Sequence, residues 1–194
     1  MTSEQINDII SDSAAVKRKL AEECSEDILR CGELLAQVAL DSGLIMLCGN
    51  GGSAADSQHL AAELVVRLRS SVDRRAIGAL ALTVDTSILT AGGNDYGFEH
   101  VFARQVEAYG REGDVLIAIS TSGNSENVIA AVEQANADDM HTIGLLGGDG
   151  GELKDLVDDY VLVPSSVTAR IQEAHILIGH IWCEMIEDAV VHAE

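Results

Sequence analysis

Basic residues are scarce in this chain: 12 Lys and Arg stand against 32 Asp and Glu, for a formal charge of −20. That balance argues against a nucleic-acid partner, whose binding rests on neutralising phosphates with cations. Aromatic residues make up only 3%, too few for base stacking or for a large planar cofactor. No apolar run approaches the ~18 residues of a membrane span, and Met1-Thr2-Ser3-Glu4 is not a basic segment leading into an apolar one. A cytoplasmic protein with no membrane partner is expected. Cysteine is sparse and scattered, as Cys24, Cys31, Cys48 and Cys183, with no C-x-x-C pair. Buried free thiols are expected rather than disulfides or a zinc knuckle.

What is present is apolar: 47% of the 194 residues are hydrophobic, enough for one globular domain with a good core over 1–194. Residues 1–42 read as a helical arm. Its first helix, over 3–24, places Ile6, Ile9, Ile10, Ser13, Val16, Leu20 and Ala21 on one side, and its second runs from Ser25 to Leu40, with Gly43 ending it. From 43 to 194, apolar runs alternate with helical patterns. Strands are expected at 44–48, 76–82, 114–120, 141–146 and 160–163, the last stopped by Pro164, the only proline. Helices are expected after Ser53 and over 86–91, 98–109, 126–137 and 168–191, with a helical turn at 153–157 and a loop at 92–97. This alternation implies α/β architecture, a doubly wound parallel sheet with helices on both faces.

Two loops in this pattern carry chemistry. The first, Gly49-Asn50-Gly51-Gly52-Ser53, follows the apolar run 44–48 and opens a helix, with Ser53 at the N-cap position. Backbone N–H groups in such a turn converge on an anion at the positive end of the helix. The second, Ser120-Thr121-Ser122-Gly123-Asn124-Ser125, follows the strand 114–120 and opens the helix at Glu126. Hydroxyls and amides there form a phosphate cradle that needs no lysine, which reconciles an anionic substrate with an acidic protein. Neither loop ends in Gly-Lys-Ser/Thr, so a Walker loop is excluded, and the first does not match G-x-G-x-x-G. On the helix after the first loop, His59 and Glu63 are one turn apart and share a face. An imidazole beside a carboxylate can hold a divalent metal or move a proton; the same spacing also serves an ordinary solvated pair.

The strand followed by Ser-Thr-Ser-Gly-Asn-Ser resembles the phosphate loop of the sugar isomerase (SIS) domain. With Gly49 to Ser53, His59 and Glu63, then Gly93-Asn94-Asp95-Tyr96-Gly97-Phe98 and Ala169-Arg170-Ile171-Gln172-Glu173-Ala174-His175, the likeness narrows to the bacterial phosphoheptose isomerase family and covers nearly the whole chain. The resemblance implies conversion of sedoheptulose 7-phosphate to D-glycero-D-manno-heptose 7-phosphate for the bacterial envelope, by a zinc-containing homotetramer with active sites at subunit interfaces and one Zn2+ per subunit. It implies sugar-phosphate contacts at Asn50, Gly51, Gly52, Ser53, Glu63, Asn94, Asp95, Ser120, Thr121, Ser122, Ser125 and Gln172, and metal ligands at His59, Glu63, Gln172 and His180. Some members carry an aspartate where this chain has Ala169, so a contact made there is missing. Other SIS-domain proteins are non-catalytic adaptors, one binding the bacterial replication initiator, and lack the Glu63 and His180 equivalents that this chain retains. Isomerisation of another sugar phosphate is also compatible with the motifs.

Moving a carbonyl between C2 and C1 takes a proton from one carbon and returns it to its neighbour through an enediol. Glu63 is the candidate base and His180 the candidate acid, with zinc polarising the oxygens. By its neighbours Ile178, Gly179 and Ile181 alone, His180 reads as a core histidine, while His175 reads as structural. Gln172 and His180, eight residues apart on one helix, stand about 12 Å apart along its axis. With metal bonds of only ~2 Å, one copy of the helix can hardly supply both, so a second chain is expected to contribute at least one.

Overall fold

A computed structural model describes residues 1–193; Glu194, the last residue of the domain expected over 1–194, lies outside the described residues. The arm consists of α1 (Ser3–Glu23) and α2 (Ser25–Leu40). Thr2 and Gln5 cap α1 reciprocally, Gln5 N–H donating to the Thr2 hydroxyl at 3.2 Å and Thr2 N–H to Gln5 Oε1 at 2.8 Å. Of the stripe expected on α1, only Leu20 is buried; Ile6, Ile9 and Ile10 remain 46%, 40% and 60% exposed. Only the second half of α1 reaches the core.

Five parallel strands, β1 (Ile45–Gly49), β2 (Ala79–Ala81), β3 (Val115–Ser120), β4 (His141–Gly147) and β5 (Asp159–Val163), lie in the order β2-β1-β3-β4-β5. Every residue of β1 and β3 is buried, as a strand covered on both faces requires. One face is covered by α2, α3 (Gly52–Val65) and α7 (Thr168–Ala193), packed around Leu35, Leu60, Ile178 and Trp182; the other carries α5 (Ala103–Tyr109) and α6 (Glu126–Ala137) around Val106, Val128 and Val132. The four cysteines are free and buried.

The departures from expectation are local. Strand β2 keeps three of the expected seven residues, because it lies at the sheet edge with β1 alone to pair with. Gly92, Gly93, Asn94 and Asp95, expected in a loop, instead continue α4 (Thr86–Asp95), whose N-terminus is fixed by Asp85 accepting from Ile88 N–H at 2.9 Å. A strong cap carries the helix through two glycines of poor propensity. The helix expected over 98–109 breaks into a 3₁₀ turn at Phe98–His100 and α5. Ser53 is not the N-cap of α3; Gly51, with a φ of 56°, takes that place. A left-handed residue suits glycine there, and Ser53 falls inside the helix, buried beneath Gly49.

Candidate active site

In a parallel sheet of this order, the helices following β1 and β3 leave toward opposite faces, and a crevice opens between the two strand ends. The two sequence loops flank that crevice. Asn50 and Asn127, the second residue of α6, exchange amide hydrogen bonds in both directions, at 2.8 and 2.9 Å. The Asn50 side chain is thus anchored across the crevice, and Asn127 is a loop-positioning residue that the sequence reading missed. Its only signal was an amide one position into α6. In the second loop, Ser120 Oγ accepts from Gly123 N–H at 3.1 Å and lies 3.2 Å from Ser125 Oγ, while Ser122 Oγ accepts from Asn124 N–H at 3.2 Å. Gly123, at φ +68°, runs so close to Gly150 that a Cβ would fall 1.8 Å from its carbonyl oxygen. Ser120 is buried, Thr121 and Ser125 are half-buried, and Ser122 is exposed. A cavity of about 360 Å³ is lined by Asn50, Phe98, Glu99, Asn124, Ser125, Glu126 and Asn127.

Helix α3 leaves the first loop with Gly51 and Gly52 exposed at its start. Its His59 is half-exposed and its Glu63 mostly shielded, 49% and 19% by side chain. His59 Nε2 lies 3.4 Å from Glu63 Oε1 and 2.9 Å from His180 Nε2, the imidazoles meeting edge to face. His180 is therefore no core histidine. A glycine at 179 lets α7 approach α3 closely, since a Cβ there would lie 2.5 Å from Leu60 Cδ1, and the ring emerges at the helix seam. Asp56 faces the same seam; burial raises its pKa, and the neighbouring His59 and His180 oppose the rise. His175, as expected, is structural, buried with Nε2 3.1 Å from the Leu146 carbonyl.

Not every candidate joins this group. Gln172 lies on Gly52, where a Cβ would come 2.7 Å from its Nε2. That is seven residues before His59, about 10 Å along α3. Within one chain, Gln172 therefore belongs to the first loop, and His59, Glu63 and His180 form a separate trio. Asn94 and Asp95 sit exposed at the end of α4, Asn94 Nδ2 donating to Asp95 Oδ1 at 2.6 Å. Ser53 is buried beneath Gly49, with its carbonyl accepting from Ser57 Oγ at 2.8 Å.

Two imidazoles and a carboxylate are the donor types zinc prefers, and donors around a tetrahedral zinc stand about 3.3 Å apart. The spacings of 2.9 and 3.4 Å about His59 Nε2 fit that scale. Among the described residues, no group of three or more His, Cys, Asp or Glu side chains is already arranged as a metal site.

A family model described as SIS domain matches residues 10–147. A phosphoheptose isomerase of Pelodictyon phaeoclathratiforme is 51% identical over 95% of this chain and 88% of its own length. The chain belongs to the phosphoheptose isomerase family. Solved phosphoheptose isomerases agree in fold as well as sequence. The Neisseria gonorrhoeae structure superimposes with a TM-score of 0.89 at 47% identity, covering 95% of this chain and 98% of that one. The Francisella tularensis structure gives 0.92 at 38% identity, covering 97% and 100%.

Proposed function

We infer that the protein is an aldose-ketose isomerase that converts sedoheptulose 7-phosphate to D-glycero-D-manno-heptose 7-phosphate, in the synthesis of bacterial envelope heptose. The observation that carries this reading is the meeting of Glu63 and His180 at His59 Nε2, on the helix that begins at the first loop. The hydroxyls and amides of Ser120 to Ser125 and of Asn50 to Gly52 hold the phosphate end of the sugar. Glu63 takes a proton from C1 of the ketose while His180 gives one to the C2 oxygen, forming the enediol. Glu63 then returns the carbon proton to C2 and His180 takes the O1 proton, which completes the aldose and restores both groups.

We propose one Zn2+ per subunit, which His59, Glu63 and His180 would hold with Gln172 as a weaker fourth ligand, each of Glu63 and His180 using one atom for the metal and keeping its other oxygen or ring nitrogen for proton transfer. When bound, zinc supplies Lewis acidity at the carbonyl and enediolate oxygens. Because Gln172 of the same chain lies at the far end of α3, the Gln172 of this set comes from a second copy, in keeping with a homotetramer whose active sites lie at subunit interfaces. The same reading keeps the protein in the cytoplasm, with the sugar phosphate and its own copies as partners.

The test is a coupled assay for heptose phosphate, run on wild type before and after chelation and zinc restoration, with Glu63→Gln alongside. Wild type turns over, chelation lowers the rate, zinc restores it, and Glu63→Gln loses roughly a thousandfold in kcat, the scale of a general base. Wild-type inactivity with zinc added sinks the reading.

A further inference from the structure

Helix α3 ends at Val65 with no basic residue in its last turn, so its final carbonyls need donors from outside the helix. Arg74 supplies them. Its Nη2 donates to the Glu63 carbonyl at 2.8 Å and its Nη1 to the Leu64 carbonyl at 2.9 Å, while its Nε donates to Glu187 Oε1 at 3.1 Å. Both side chains of this ion pair are wholly shielded from solvent. Glu187 accepts further from Leu68 N–H at 2.9 Å and from Arg69 Nε at 3.0 Å. Burial alone would raise the Glu187 pKa, yet these donors hold it below the usual range, so the pair stays charged.

The two ends of this bond matter because of what shares their helices. Glu63, whose carbonyl Arg74 grips, carries the candidate base. Glu187 follows His180 on α7 by seven residues, about two full turns, so both emerge on the same face. A single guanidinium thus ties the backbone of the base to the helix of the acid. A buried ion pair contributes little net stability over an apolar pair of equal volume, but its hydrogen bonds fix direction. We propose that Arg74 and Glu187 are positioning residues that set the separation of Glu63 and His180. The inference rests on the reading of those two as base and acid. It assigns a task to one of only 12 basic residues.

The test uses Arg74→Lys, which keeps the charge and loses the planar fork, Glu187→Gln, which keeps the shape and loses the charge, and Arg69→Gln. Arg69 is partly exposed, so its replacement loosens Glu187 without stranding a buried charge, and it stands in should either of the others fail to fold. Steady-state kinetics in the full-length zinc-loaded protein are paired with NMR of the His59 and His180 ring nitrogens, assigned through His59→Gln and His180→Gln. The expected result is a ten- to hundredfold lower kcat in Arg74→Lys and Glu187→Gln with KM within about twofold, as misplacement of reacting groups by ~1 Å produces. Arg69→Gln shows a smaller drop in the same direction. The His59 and His180 signals shift in all three, while those of His141, at the other end of the sheet, do not. Folded variants with wild-type kcat and unmoved His59 and His180 signals, changed only in melting temperature, overturn the proposal. Wild-type inactivity defeats the isomerase reading instead, and the ring signals still decide whether Arg74 and Glu187 position the trio.

Discussion

His175 shows how burial alone assigns a histidine. Its Nε2 faces the Leu146 carbonyl and its Nδ1 is buried with no partner, so a second proton would be stranded. Burial drives its pKa down to about 4, the Leu146 bond opposing only in part. Between that value and the unfolded value near 6.5, the unfolded chain binds the proton and the folded one does not, so stability falls as pH falls. The loss over that window is about 3 kcal/mol by the linkage relation. Urea melts at pH 7, 5.5 and 4.5 check it, and His175→Met removes most of the slope. Asp159, which burial would raise but which Arg30 and His141 hold low, acts in the next window down: its contribution is present above the ordinary carboxylate pKa and lost as pH drops through the folded value. At this scale the sequence was read unevenly. His59 and Glu63 declare themselves by helical spacing, whereas His180 looks buried by its apolar neighbours, and only the close approach at Gly179 reveals it at the seam. The partners described for Asn127, Arg74 and Glu187 lie between 10 and 119 residues away along the chain, which no local pattern displays.

The contact between α3 and α7 depends on the absence of a side chain at Gly179. Gly179→Ala, beside His180, pushes a methyl into Leu60, beside His59. Overpacking of this kind costs about 1–3 kcal/mol, and thermal unfolding will show it. The same shift separates the imidazoles, so kcat falls at least tenfold in the isomerase assay. Elements with a strong periodic or wholly apolar pattern were legible, and α6 was read to the residue as Glu126–Ala137. Strand β2 and helix α4 were not, for opposite reasons. The apolar run 76–82 exceeds what a single pairing partner can order, and the glycines of α4 conceal a helix that Asp85 caps from outside.

At the scale of the whole molecule, the exposed Ile6, Ile9 and Ile10 of α1 and an apolar groove of about 290 Å³ between α1, α2 and α7, lined by Leu20, Ile28, Leu29, Leu177, Ile181 and Met185, favour self-association. If the proposed homotetramer assembles through this face, Ile10→Asp shifts sedimentation toward smaller species. Most turnover is lost with it, since Gln172 comes from a second copy in the proposed site. The acidic surface does not oppose assembly at the groove, where Lys17 is the one charged residue in the lining. The reciprocal bond between Asn50 and Asn127 has a consequence for the reaction as a whole. Two carboxamides grip each other without an exchangeable charge, so the frame that receives the substrate keeps its shape across the acidity range in which imidazole changes state. The frame and the conversion therefore draw on separate chemistries, one indifferent to protons and the other made of little else.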